Sequence, residues 1–205
     1  MRMTLVNLLM ILFSAVTGAE GVAAQQQAPP PPSKFKMTTT AYSDGNWIPA
    51  QYACGTPDGT SPGLQWSDPP QGTMSFALIF HDTDAAPGKG AMDVTHWILW
   101  NIPAEAAQIP AEVKPDTSPY GIVQGKNIRG VNGYQPPCPP VGARPHHYVF
   151  ELYALDTKLD LPAGSSRADM LKAMDGHVIG KASFVGIFGR GIDPETWRRE
   201  MAKPQ

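Results

Sequence analysis

Two imidazoles, a carboxylate and a phenol carry the chemical interest of this chain. Asp82 lies in Asp82-Thr83-Asp84-Ala85 and His96 in Thr95-His96-Trp97-Ile98. His146 and Tyr148 lie in His146-His147-Tyr148, shortly after the rigid run Pro136-Pro137-Cys138-Pro139-Pro140. Each stretch joins a loop to a strand-like run, so each delivers polar side chains to the place where loop and strand meet. A phosphoryl group or similar oxyanion needs hydrogen-bond donors. A neutral imidazole offers one, an imidazolium two, and a tyrosine hydroxyl another. A carboxylate facing such an anion repels it, so the work left for Asp82 is to orient an imidazole or to accept from a ligand ammonium or hydroxyl. The proline loop holds its backbone geometry without spending ordering entropy on binding.

The elements that must position these groups are mostly strands. Phe35, Met37, Thr39 and Ala41 alternate with polar neighbours, 76–80 is a continuous apolar run, and 96–100 and 148–155 are aromatic-rich and β-prone. Turn clusters fall between them at 43–46, 57–63, 68–72 and 86–90, the spacing of an antiparallel sandwich. Strand parity puts His146 and Tyr148 on one face with Phe150 and Leu152, and puts His147 on the other. By the same parity Asp82 ends the row Phe76, Leu78, Phe80, and His96 shares a face with Ile98 and Trp100. Helical signals are few. Ser166 caps a helix with Asp169 three residues on, and Ala168, Leu171, Met174 and Val178 recur on one face before Gly176 or Gly180 stops it. Residues 104–108, fenced by Pro103 and Pro110, suit another helical turn or two, and Asp193-Pro194-Glu195 suits the start of a polar C-terminal helix.

The chain has 205 residues, is 42% hydrophobic and 17% charged, and has a formal net charge of -2. That charge leaves no electrostatic footprint for nucleic acid. A polybasic patch for a membrane surface is also missing. Residues 1–24 read as a signal peptide, with Arg2, the apolar run 8–16 and the small residues Val22-Ala23-Ala24 before Gln25. The apolar run is too short for a membrane span, so no stable membrane insertion of the mature domain is expected. A Pro- and Gln-rich linker occupies 25–34, and the expected location is periplasmic or secreted. In an oxidising compartment Cys54 and Cys138 are either a bridge or two buried thiols, and a bridge stabilises by roughly 4 kcal/mol in the chain-entropy model. Two cysteines make neither a structural zinc site nor, without C-x-x-C, a dithiol redox motif.

Ser61-Pro62-Gly63-Leu64-Gln65-Trp66, the Asp82-Thr83-Asp84-Ala85 segment, His96-Trp97-Ile98-Leu99-Trp100-Asn101-Ile102-Pro103, Gly133-Tyr134-Gln135-Pro136-Pro137-Cys138-Pro139-Pro140 and His146-His147-Tyr148-Val149-Phe150 occur in this order. Together they resemble the phosphatidylethanolamine-binding protein family, in its bacterial Raf-kinase-inhibitor-like branch. The resemblance covers 35–190 and leaves 191–205 as a polar tail. It implies a mostly β chain, an antiparallel β-sandwich with one or two short helices near the C-terminus. It also implies an anion pocket built by Asp82, His96, Pro140, His146 and Tyr148 that accepts phosphate, phosphorylethanolamine or similar oxyanions. Thr83 stands where the family commonly has proline, and Pro137 where glycine is common, so loop shape departs from the family pattern.

The leading expectation is a non-enzymatic binding module for small phosphorylated or oxyanionic ligands, including lipid headgroups, with no cofactor. In relatives of that kind, binding is tied to modulation of kinases or other enzymes, and a protein partner is not identified by the sequence. A second class is a metal-dependent hydrolase using Asp82, His96 and His146, since two histidines and a carboxylate form a legitimate zinc set. Neither an H-E-x-x-H spacing nor an adjacent general base supports it. The third is an inhibitor of an exported hydrolase acting through a loop. A serine nucleophile is disfavoured, because Ser183 has no G-x-S-x-G elbow around it. His81 and His177 have no assigned role, Trp66, Trp97 and Trp100 read as core or pocket wall, and Arg198-Arg199 reads as a solvated helix face.

Overall fold

The computed structural model describes residues 34–55, 59–87, 90–115 and 119–203, so the expected signal peptide (1–24) and nearly all of the expected linker (25–34) lie outside the described residues. Nine strands and two α-helices make up the regular structure of the described residues. β1 (Lys36–Thr38), β3 (Leu64–Ser67) and β6 (Gln108–Ile109) form a three-stranded sheet in the order β1-β3-β6. β2 (Asn46–Trp47), β4 (Ser75–Asp82), β5 (Val94–Pro103), β7 (Val123–Gln124), β8 (His146–Leu155) and β9 (Val178–Phe188) form a six-stranded sheet in the order β2-β9-β8-β4-β5-β7. All pairings are antiparallel except β2 with β9, which are parallel at the sheet edge. The sandwich of the sequence reading is therefore present, with one parallel pair added.

The sheets pack through one large core. Phe35, Met37, Leu64 and Trp66 meet Phe76, Leu78, Phe80, Leu99, Tyr148, Phe150 and Leu152 there. A second core lies on the other face of the large sheet, where Ala77, Ile79, Ile98, Trp100 and Leu155 pack against Met170 and Met174. The last two belong to helix α1 (Arg167–Met174). All eight residues of β4 are buried, because both of its faces are covered. That is why 76–80 is continuously apolar instead of alternating. Phe80 stacks on Phe150 with ring centroids 3.9 Å apart, a contact worth about 0.5–1.5 kcal/mol beyond burial.

Helix α1 has the capping box expected of it: the Asp169 amide donates to Ser166 Oγ at 3.2 Å and the Ser166 amide donates to Asp169 Oδ2 at 3.0 Å. Its apolar face differs from the expected one. Met170 and Met174 are buried, Leu171 is exposed, and Val178 is already in β9. The chain leaves the helix through Gly176 at φ 79°, a left-handed conformation that glycine adopts without a Cβ penalty. The helical period in the sequence runs on past this turn to Val178 and so masks the start of β9. The stretch 104–108 is likewise a turn leading into β6, not a helix. Helix α2 (Pro194–Met201) starts as expected, with the Thr196 amide donating to Asp193 Oδ2 at 2.8 Å. Among the described residues no helix is long and apolar enough to cross a membrane.

Candidate functional site

Asp82 is the last residue of β4 and pairs with Tyr148 of β8, so the carboxylate and the phenol stand side by side at one end of the sheet. Two positions before Tyr148, His146 points the same way, and the Asp82 carboxylate accepts from its Nδ1 at 2.7 Å. Of the two roles open to Asp82, the geometry takes the first: it orients an imidazole. Its other oxygen, Oδ1, accepts from the Asp84 amide at 3.0 Å.

His96 arrives by a different route. Phe80 pairs with Trp97 and His81 with Thr95, leaving His96 as the extra residue of a β-bulge in β5. A bulge re-aims side chains. His96 consequently packs its ring against Phe80 and Tyr148, at centroid distances of 5.5 and 5.3 Å, on the side of the inter-sheet core. Ile98 and Trp100 belong to the opposite core, so the parity reading that put His96 on their face is corrected by the bulge. His96 Nδ1 donates to the Gln135 carbonyl at 2.7 Å, and the Gln135 amide donates back to the His96 carbonyl at 2.8 Å. A carbonyl only accepts, which fixes the proton on Nδ1. Burial, outweighing the Gln135 hydrogen bond and the nearby Asp82 charge, pushes the His96 imidazole below its ordinary pKa.

These groups share a cavity of about 270 Å³ lined by Asp82, His96, His146, Pro140, Cys138 and Arg129, among others. Pro140 is exposed at its rim. Tyr148 lies beneath, fully buried, its ring 6.4 Å from that of His146. Among the described residues its hydroxyl finds no hydrogen bond of ordinary geometry, with the Asp82 carboxylate and the Cys138 backbone close by. Burial first, and then the Asp82 charge, raise the phenol pKa, so the hydroxyl stays a donor at any physiological pH. All five residues expected at a pocket therefore meet at one end of the sheet, four lining the cavity and Tyr148 under them.

The wall is held covalently. Cys54 and Cys138 form a disulfide, which resolves the alternatives left by the sequence. The Cys54 amide also donates to the Pro137 carbonyl at 3.0 Å, and Arg190 Nη1 contacts Cys138 Sγ at 3.2 Å. Gly59 lies so near this loop that a Cβ on it would come within 2.5 Å of Pro136. Thr83 uses what a proline lacks: its amide donates to the His147 carbonyl at 3.1 Å.

Sequence reasoning assigned no role to Asp84, the next carboxylate of the same motif. Its Oδ2 accepts from the His147 amide at 2.6 Å and from His147 Nδ1 at 2.8 Å, and Oδ1 pairs with Arg144. Burial opposes its ionisation, but the His147 hydrogen bonds and the Arg144 charge prevail and hold it below the usual carboxylate range. Proximity of Asp84 to Asp82 in Asp82-Thr83-Asp84-Ala85 was the available signal. His147 is accordingly a half-exposed bracket for the loop, and His177 pairs with Asp156 at 2.8 Å just past α1. His81 sits on the other face of β4, 2.5 Å from Asp93. Trp97 and Trp100 are core residues, as is Trp66.

The metal-site alternative finds no donor set. The Asp82 oxygens are committed to His146 and to the Asp84 amide, and among the described residues no three His, Cys, Asp or Glu groups are arranged to hold an ion.

The phosphatidylethanolamine-binding protein family model matches residues 38–189. A UPF0098 protein of Methanothermobacter thermautotrophicus is 45% identical over 157 residues, covering 76% of this chain and 99% of that one. Among solved structures, a phosphatidylethanolamine-binding protein homologue of Chlamydia trachomatis superposes with a TM-score of 0.69 at 34% identity, covering 78% of this chain and 99% of its own. Escherichia coli YbcL, a member of the mammalian phosphatidylethanolamine-binding protein family, superposes with a TM-score of 0.68 at 32% identity, covering 76% of this chain and 98% of its own. With the match spanning both sheets and the whole cavity end, the chain belongs to the phosphatidylethanolamine-binding protein family.

Proposed function

We propose that this chain is an exported, non-enzymatic binding protein whose cavity holds inorganic phosphate or a phosphoryl headgroup. One observation carries the reading: each imidazole commits Nδ1 to a protein acceptor, His96 to the Gln135 carbonyl and His146 to Asp82, leaving Nε2 without a partner among the described residues. In the neutral ring such an Nε2 is an acceptor, and it donates to an oxyanion only once protonated. Anion binding is therefore coupled to proton uptake, and affinity rises as the solution is acidified toward the histidine range. Family membership supports a binding role. The leader-like segment 1–24 and the disulfide, a bond that persists in oxidising compartments, support export. Control of a kinase or other enzyme, where it exists, would run through occupancy of this cavity.

The test is an NMR titration with inorganic phosphate that follows the imidazole signals near neutral pH. The expected result is a saturable perturbation of His96 and His146 but not of His177, abolished by His96→Ala. Unmoved His96 and His146 signals at saturating phosphate would reject the reading.

A further inference from the structure

Resting on that reading, the cavity's charge arrangement points to its ligand class. Arg129 lines the cavity opposite none of the acidic partners that occupy other arginines: Arg144 pairs with Asp84 and Arg167 with Asp93. Among the described residues, the Arg129 guanidinium makes neither an ion pair nor a hydrogen bond. Its backbone, by contrast, is well anchored. The turn between Lys126 and Asn132 is closed by a bridge between those two residues and by the Asn127 amide donating to the Val131 carbonyl at 2.9 Å. The buried Asn127 side chain accepts from the Arg129 amide at 2.9 Å and donates to the Gly133 carbonyl at 3.0 Å. The Ile128 amide donates to the Thr95 carbonyl at 2.8 Å, which ties the turn to β5 next to His96. Arg129, an exposed residue of the cavity lining, thus rides on a fixed turn.

Charge balance gives this position its consequence. Arg129 is the permanent cation of the cavity lining and Asp82 its single carboxylate, while His96 and His146 add hydrogen-bond donors as an anion binds. A phosphoryl group with no cation of its own suits that lining. A ligand ammonium fares poorly in the same place. Both Asp82 oxygens already accept protein hydrogen bonds, both Asp84 oxygens are occupied by His147 and Arg144, and Arg129 repels a second cation. We propose that Arg129 is a specificity-determining residue that makes the cavity prefer a phosphomonoester with no cation attached over phosphorylethanolamine, whose phosphate is equally dianionic but carries an ammonium. A guanidinium suits this task because its planar fork meets two phosphoryl oxygens at once.

The experiment compares affinities for methyl phosphate, phosphorylethanolamine and dimethyl phosphate near neutral pH in wild type, Arg129→Ala and Arg129→Lys. Wild type is expected to bind methyl phosphate about tenfold more tightly than either competitor. Arg129→Ala should collapse that preference to within about threefold while the His96 and His146 signals still respond to methyl phosphate; Arg129→Lys should retain part of it. A preference unchanged in Arg129→Ala, or wild-type preference for phosphorylethanolamine, overturns the assignment but leaves the anion cavity standing. Absence of binding by any of the three compounds to the wild type overturns both. Retention on vesicles only when phosphatidic acid is added would place the phosphomonoester on a lipid. Binding of methyl phosphate without vesicle retention would place it on a soluble ester, and either result agrees with the role of Arg129.

Discussion

At the scale of single residues, His96 is an imidazole almost wholly withdrawn from water that still faces a ligand cavity. It is 4% exposed and its burial favours the neutral ring. The unfolded chain therefore takes up a proton at a higher pH than the folded one. The stability this contributes is complete above the ordinary histidine pKa and is lost as pH falls below it toward the folded value, with a slope of at most about 1.4 kcal/mol per pH unit from one proton. Urea denaturation in phosphate-free buffer is expected to show that loss in the wild type and less of it in His96→Asn. Equal pH profiles for the two proteins would contradict the assignment. Saturating phosphate acts in the opposite sense, since it favours the protonated ring, so it should flatten the acid limb. The identity of these residues was legible in the chain because His, Asp and Tyr at loop-to-strand junctions are chemically conspicuous. Arg129 was not, since an arginine in a polar turn looks like any solvated cation until the turn is seen against β5.

Elements explain which parts of the site could be read in advance. Asp82, His146 and Tyr148 follow strict alternation along β4 and β8, so parity placed them correctly. His96 defeats parity because the bulge inserts one residue into β5, and nothing in Thr95-His96-Trp97 announces a bulge. The β9 strand was hidden by a competing helical period, and the parallel β2–β9 edge pair by the brevity of β2. The disulfide belongs at this scale too, because it fastens the proline loop to the segment at Cys54, 84 positions away in sequence. Replacing both cysteines by alanine is expected to cost about 4 kcal/mol in the chain-entropy model. Because Cys138 lines the cavity, the same change should weaken phosphate binding several-fold as the loop gains freedom. Denaturation and phosphate titration of the Cys54→Ala, Cys138→Ala protein check both effects. Stability lost with unchanged affinity would show that the prolines alone hold the wall.

For the molecule as a whole, the two cores on opposite faces of the large sheet divide the labour. Neighbouring residues of β4 belong to different ones: Ile79 packs toward Met170 and Met174 of α1, and Phe80 packs between the sheets. Only the core between the sheets reaches the cavity, since Phe80 touches both the His96 and Tyr148 rings and stacks on Phe150 and Tyr134. Ile79→Ala is expected to cost about 2–5 kcal/mol and Phe80→Ala about 3–5 kcal/mol, so the two should be comparably destabilised. Their effects on binding should part. In Phe80→Ala the floor beneath His96 loses its packing, the imidazole is freer to leave the Gln135 carbonyl, and phosphate affinity should fall about tenfold or more. In Ile79→Ala the cavity end is untouched and affinity should stay within about twofold at temperatures where the variant is folded. Calorimetric titration of both variants, below their unfolding transitions, makes the comparison. A matching loss of affinity in Ile79→Ala would mean that the central strand transmits packing defects through its own backbone, and that the outer core is part of the binding machinery after all.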